Sequence, residues 1–161
     1  MLRNALLLAS AVVLLVGCAG SSGSLPEESR KGSAAAETHS GRELAVRTAV
    51  SMIGAPYRYG GASPSGFDCS GLVVYSYARA GHPGLPHSAV ELERATRPVS
   101  LDELQPGDLL FFQLSRVKTS HVGIYVGDHS FVHAPSSGKR VERVRFDHVY
   151  WSQHLGRAGR L

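Results

Sequence analysis

Up to about Ala95 the apolar residues recur at helical spacing, and from Asp108 onward they fall into short consecutive runs. That switch of period limits the architecture more than any single residue, because the two patterns bury different faces and cannot exchange roles. In the first half, Leu44, Val46, Ala49, Val50 and Ile53 mark one helical face, with Ser40 as N-cap and Gly54 as stop. Asp68 suits the N-cap of a second helix whose apolar stretch runs from Leu72 to Ala80 and ends at Gly81. A shorter helix fits Ser88 to about Ala95. Ser100 and Glu103 have capping-box spacing for a single turn, which Pro106-Gly107 breaks. Strand-like runs follow at Asp108–Phe112, His121–Val126, Phe131–Ala134 and Arg140–Val144, with a weaker one near Gln153–Gly159. Helices first and strands second imply an α+β fold, with N-terminal helices packed on a C-terminal antiparallel sheet of about five strands.

The chain divides into three parts. Residues 1–17 read as an export signal: Arg3, then the apolar run Ala5 to Val16, too short for the ~20 residues of a membrane-spanning helix. Its end, Leu15-Val16-Gly17-Cys18, resembles the bacterial lipobox, in which the cysteine is lipidated and becomes the new N-terminus. Residues 18–39 then form the lipidated cysteine and a flexible tether, since 12 of the 21 residues from Ala19 to His39 are Gly, Ser or Ala. Residues 40–161 are the folded domain. Acyl chains on Cys18 would hold the protein to a membrane surface without spanning it. Ala19, in place of Asp, points by resemblance to Gram-negative lipoproteins to the periplasmic face of the outer membrane.

Composition narrows the function classes. A hydrophobic content of 43% with 19% charged residues supplies a core and excludes wholesale disorder. Two cysteines allow neither a disulfide framework nor a four-thiolate zinc site. The net charge of +4 comes from scattered residues with no reader motif, so nucleic acid is not an expected partner. The cluster Lys139, Arg140, Arg143 and Arg145 reads as a solvated face, and Phe111, Phe112 and Trp151 as packing residues.

With Cys18 lipidated, Cys69 is left as a lone thiol. Buried free cysteines are often plain hydrophobes. Cys69, however, lies in Phe67-Asp68-Cys69-Ser70-Gly71, just inside the second helix, where free N–H groups and the helix dipole favour a thiolate. Thiol catalysis also needs a base and a group that orients it. His121 and His133 lie on successive strands and share a face if their paired indices sum to an even number. That requires an odd-length loop around Gly127, or a bulge. Gly123, beside His121, leaves room for another group.

Four motifs occur in order: FDCSGLVVY from Phe67, QPGDLLFF from Gln105, HVGIYVG from His121 and FVHA from Phe131. Together they resemble the NlpC family of papain-like cysteine peptidases, short lipoprotein members in particular, over nearly all of residues 40–161. The resemblance implies a papain-like fold and hydrolysis of amide bonds in peptidoglycan stem or cross-link peptides. It implies Cys69 as nucleophile, His121 as base through a thiolate–imidazolium pair, and His133 as the residue orienting His121. Tyr57, in the PYRYGG segment, matches the tyrosine that assists the oxyanion, and Asp68 and Ser70 match substrate-subsite positions. The expected partners are cell-wall peptides and, through the lipid, a membrane; a monomer without cofactor or metal is expected. Two rivals remain. His121 and Asp128 have the His-x₆-Asp spacing of some zinc peptidases, though the ligand set is incomplete and Cys69 then has no role. A catalytically silent wall-binding lipoprotein is the other.

Overall fold

A computed structural model describes residues 27–114 and 119–161. The expectations for residues 1–17 and for Cys18 lie outside the described residues. Helix α1 spans Glu27–Ser51 and is followed by a small hairpin, β1 (Ala62–Ser63) and β2 (Gly66–Phe67). Next come α2 (Cys69–Arg79), α3 (Ala89–Ala95), β3 (Arg97–Val99) and a 3₁₀ turn at Leu101–Glu103. The second half supplies β4 (Leu109–Phe112), β5 (His121–Gly127), β6 (Ser130–His133), β7 (Glu142–Arg145), α4 (Val149–His154) and β8 (Leu155–Arg160). The main sheet has the order β3-β8-β4-β5-β6-β7 and every pair in it is antiparallel.

The α+β layout matches the sequence pattern, with three differences. Among the described residues the sheet has six strands, the extra one being Arg97-Pro98-Val99 at the edge beside β8. An edge tolerates Pro98, whose missing N–H removes no ladder bond there, and so a proline hid this strand. Helix α4 precedes β8, so the strand near Gln153 starts only at Leu155. Ser40 does not begin α1 but lies inside it, so residues 27–39, expected as part of a flexible tether, are helical instead, because this stretch, with Ala34-Ala35-Ala36, also carries helix propensity.

The buried face of α1 also differs from the apolar one. Gly41, Ala45, Thr48 and Ala49 are buried, whereas Leu44, Val50 and Ile53 are about two-fifths exposed. The i, i+4, i+7, i+8 spacing is helical, but the stripe consists of small residues. They allow α1 to lie close to α2: a Cβ on Gly41 would stand 3.2 Å from His82 Nε2 and 3.4 Å from the Ala80 carbonyl. Helix α2 keeps the expected ends, with Asp68 as N-cap and Ala80 as C-cap ahead of left-handed Gly81.

Both faces of the sheet are covered. Leu109, Phe111, Val122, Ile124 and Val132 pack with Ala45, Ala49, Leu72, Val73 and Tyr77 of the helices. Leu110, Phe112, Phe131 and Ala158 build a second cluster with Phe146, Trp151 and Leu155. This explains why consecutive Phe111 and Phe112 are both fully buried. The sheet is tied to the chain's end at Asp108, which is buried and receives Arg160 through Nε at 2.6 Å and a second nitrogen at 2.7 Å. Two-point geometry of this kind offsets the cost of burying both charges.

Candidate active site

The first turn of α2 is organised by one carboxylate. Asp68 Oδ1 accepts from the Gly71 N–H at 2.7 Å and from Ser70 Oγ at 3.1 Å, and pairs with His87 Nε2 at 2.8 Å. Its other oxygen accepts from the Gly60 N–H at 2.8 Å, drawing the PYRYGG loop onto the helix. Burial pushes the Asp68 carboxyl up, but the Gly71 N–H, His87 and the Gly60 N–H together outweigh it and hold the group below the usual range. Gly71 is required for this approach, since a Cβ there would strike the Gly61 carbonyl and the His87 ring.

Asp68, Cys69 and Ser70 therefore form one wall of a cleft of roughly 480 Å³, with Tyr57, Tyr59, His87 and Thr119 among its other walls. Cys69 is partly exposed there. Burial raises its thiol above the ordinary value; the Val122 N–H opposes this, Asp68 adds to it, and the N–H groups of Ser70 and of Cys69 itself oppose it again. Tyr57, in the same cleft, is likewise raised, by burial first and then by Cys69 and Asp68. Ser70 is tied to Asp68 and serves the cap as much as the cleft.

The imidazoles sit behind this cleft and do not line it. In the β5–β6 ladder Ile124 faces Val132 and Tyr125 faces Phe131, and the register shifts between Tyr125 and Gly127. The hairpin closes through Asp128 and His129, both left-handed at φ 51° and 50°. Of the two routes open in the sequence, the bulge is the one used, and it puts His121 and His133 on one face. His121 Nε2 and His133 Nδ1 are 2.8 Å apart with the rings perpendicular. The room left by Gly123 is taken by the Phe131 ring, which any Cβ there would strike.

Aromatic rings enclose the pair. Trp151 stacks on His121 at 5.7 Å and meets His133 edge-on at 4.9 Å, and Phe112 and Phe131 flank them. His121 is 3% exposed and His133 not at all. Burial lowers His121 to about 4, and burial together with His121 lowers His133 to about 3. Both rings are thus neutral at neutral pH. The standing thiolate–imidazolium pair expected from the sequence is disfavoured at both of its ends by the same cause, desolvation.

The structure thus gathers the predicted residues into two groups: Tyr57, Asp68, Cys69 and Ser70 in the cleft, His121 and His133 behind it. The link between them is β5 itself, because the Val122 N–H, next in the chain after His121, points at the Cys69 sulfur. The NlpC/P60 family pattern matches residues 54–160, a stretch that contains every one of these side chains. The chain belongs to the NlpC/P60 family.

Similar proteins in this family include a probable endopeptidase of Mycobacterium tuberculosis, 46% identical over 66% of this chain and 26% of that protein. The murein DD-endopeptidase MepH of Escherichia coli is 37% identical over 78% of this chain and 48% of its own length. A solved NLP/P60 structure from Staphylococcus aureus superposes with a TM-score of 0.67 at 36% identity, over 74% of this chain and 41% of that one. This chain therefore spans about a quarter to a half of these relatives.

Within the NlpC/P60 domain, two residues do more than their sequence context suggested. His87 sits in a Pro- and Gly-rich loop, yet it pairs with Asp68 and lines the cleft. Trp151 is a packing residue, but what it packs on is the imidazole pair. Neither carries a local signal, since both contacts join segments far apart in the chain. The zinc alternative does not fit: β5 carries His121 at its start, and Asp128 follows its end in the turn, 78% exposed. A strand of that length holds the two about 20 Å apart.

Proposed function

We propose that the chain is a peptidoglycan endopeptidase that hydrolyses amide bonds of murein peptides by a Cys69–His121–His133 thiol mechanism. The observation that carries this reading is the 2.8 Å contact between His121 Nε2 and His133 Nδ1 behind a helix-borne thiol. With Nε2 engaged by His133, Nδ1 is the nitrogen of His121 left to receive a proton. His121 takes the proton of Cys69 as the sulfur attacks the amide carbonyl, so sulfur–carbon bond formation and imidazolium formation accompany one another. The backbone N–H of Cys69 in the first turn of α2 and the Tyr57 hydroxyl are the donors for the oxyanion; one such donor is worth about 3–4 kcal/mol of barrier. His121 then returns its proton to the leaving amine, and water, deprotonated by the same ring, hydrolyses the thioester. The names of the relatives, probable endopeptidase and murein DD-endopeptidase, support the substrate class. Cleft residues Asp68, Ser70 and His87 form the polar wall against which a peptide would lie.

Purified sacculi digested with the full chain and weighed by mass spectrometry identify the scissile bond. Cys69→Ala and Cys69→Ser variants with unaltered circular dichroism are expected to release no muropeptides; undiminished release would falsify the mechanism. Chelators should leave the activity intact and thiol alkylation should remove it. We further propose that Cys18 is the lipid anchor, holding the enzyme at the periplasmic face of the outer membrane, and that it acts as a monomer. Incorporation of labelled palmitate into the wild type and not into Cys18→Ala is the expected result.

A further inference from the structure

The hydrogen bond between the two histidines fixes more than His121. For His121 Nε2–H to donate to His133 Nδ1, the proton of neutral His133 must sit on Nε2. That atom is fully buried, and among the described residues no hydrogen-bond partner lies within reach of it. A buried donor without an acceptor is costly and calls for an explanation. The nearest carboxylate oxygen is Glu142 Oε1, 3.6 Å away. Its place there is set by the backbone, because His133 and Glu142 are direct cross-strand partners in the β6–β7 ladder. Paired residues of an antiparallel ladder stand on the same face with their side chains adjacent. The Glu142 side chain is half-exposed, and a small rotation that shortens the 3.6 Å approach by a few tenths of an ångström would make it a hydrogen bond.

We propose that Glu142 is a positioning residue for the reaction: it accepts the His133 Nε2–H, locks that ring in the tautomer His121 needs, and supports the imidazolium electrostatically through it. The inference rests on the proposed Cys69–His121–His133 mechanism and extends the array by one member. The array runs from sulfur to ring to ring to carboxylate, across α2, β5, β6 and β7. The last member supplies negative charge that neutral His133 lacks, and it does so from the solvent side, where the carboxylate keeps most of its hydration. No net proton transfer to Glu142 is required. The charge that forms on His121 is stabilised by polarisation along two hydrogen bonds.

The test uses the full chain with muropeptide substrate and the variants Glu142→Gln and Glu142→Ala. Glutamine keeps an acceptor oxygen and loses the charge, whereas alanine loses both. The expected result is a kcat lowered in the order Ala, then Gln, then wild type, by about ten- to a hundredfold for Ala, the range set by one hydrogen bond to a charged group. KM should stay within about twofold, because the residue touches no substrate. Nitrogen-15 NMR of the imidazoles should show protonated Nε2 on His133 in the wild type and a mixed tautomer in Glu142→Ala, a change that a purely structural role would not produce. Wild-type kcat in both variants, or a His133 protonated at Nδ1 in the wild type, overturns the proposal. Cys69→Ala separates this failure from the larger one. If that variant is dead while both Glu142 variants are fully active, the relay alone fails; if it retains turnover, the thiol mechanism fails with it.

Discussion

Around Cys69 the polar groups are paired and the walls are open. Asp68 alone holds contacts with Gly60, Ser70, Gly71 and His87, and the thiol shares a cleft with two tyrosines. Around His121 and His133 the neighbours are Phe112, Phe131 and Trp151, and both rings are buried. One region is wired by hydrogen bonds to backbone and stays wet at its edge; the other is dry and held by ring packing. In the proposed mechanism a proton leaving the sulfur enters a site that disfavours cations, so the ion pair would form only together with the new sulfur–carbon bond. Burial raises the Cys69 thiol and lowers both imidazoles, which opposes what the helix terminus does for a thiolate.

The sharpest way to break this contrast is to remove the dry partner. In His121→Ala, muropeptide turnover should fall by about 10²–10⁴-fold, the usual contribution of a general base. Iodoacetamide labelling of Cys69 at neutral pH should slow in the same variant, because burial then holds the thiol protonated with no base beside it. Labelling as fast as in the wild type would mean that the helix terminus alone activates the sulfur, and the two regions would not be coupled.

A smaller effect appears in stability against pH. Both rings have folded values depressed by burial, His121 to about 4 and His133 to about 3, from an unfolded value near 6.5. Between those values the unfolded chain binds protons that the folded chain refuses. Their contribution is therefore fully present above about pH 6.5 and is lost as the pH falls toward 4 and then 3. The slope is about 1.4 kcal/mol per pH unit for each ring. Urea unfolding of the wild type at pH 7, 6 and 5 should show that decline, and His121→Asn should lose about half of it. An unchanged slope in the variant would place the acid sensitivity elsewhere.

The two regions were also unequally legible in the sequence. The helix entrance could be read locally, because Asp68 as N-cap, Cys69 after it and Gly81 as stop are neighbours whose roles follow from backbone geometry. The shared face of His121 and His133 followed from parity, but the bulge that delivers it could not be distinguished from an odd loop. Trp151 and His87 were invisible as site residues, since their contacts depend on how α4 and a turn-rich loop return to the site. The face of α1 was misread for a related reason. Apolarity marks what can be buried, whereas close helix packing selects small side chains, so Ala45 and Ala49 are inside and Leu44 and Val50 are outside. Strand β3 was missed because Pro98 disqualifies a strand everywhere except at an edge.

The smallest expected effect tests the wet region against an internal control. Asp68→Ala removes the N-cap acceptor of α2 and should cost about 1–2 kcal/mol of stability, the upper part of the range for N-cap loss, because the bond to Gly71 is short at 2.7 Å. Ser88 caps α3 in the same manner, but its oxygen is 3.5 Å from the Glu91 N–H. Ser88→Ala should therefore cost only about 0.5 kcal/mol, the lower end of that range. In function the two should separate further. Losing the Asp68 carboxylate also frees His87 and the Gly60 loop, so KM for muropeptide should rise with kcat less affected; Ser88 lines the same cleft but holds neither His87 nor Gly60, so Ser88→Ala should raise KM less. Equal costs for the two caps, with KM unchanged in Asp68→Ala, would reduce Asp68 to a helix cap and leave the polar wall of the cleft without its organiser.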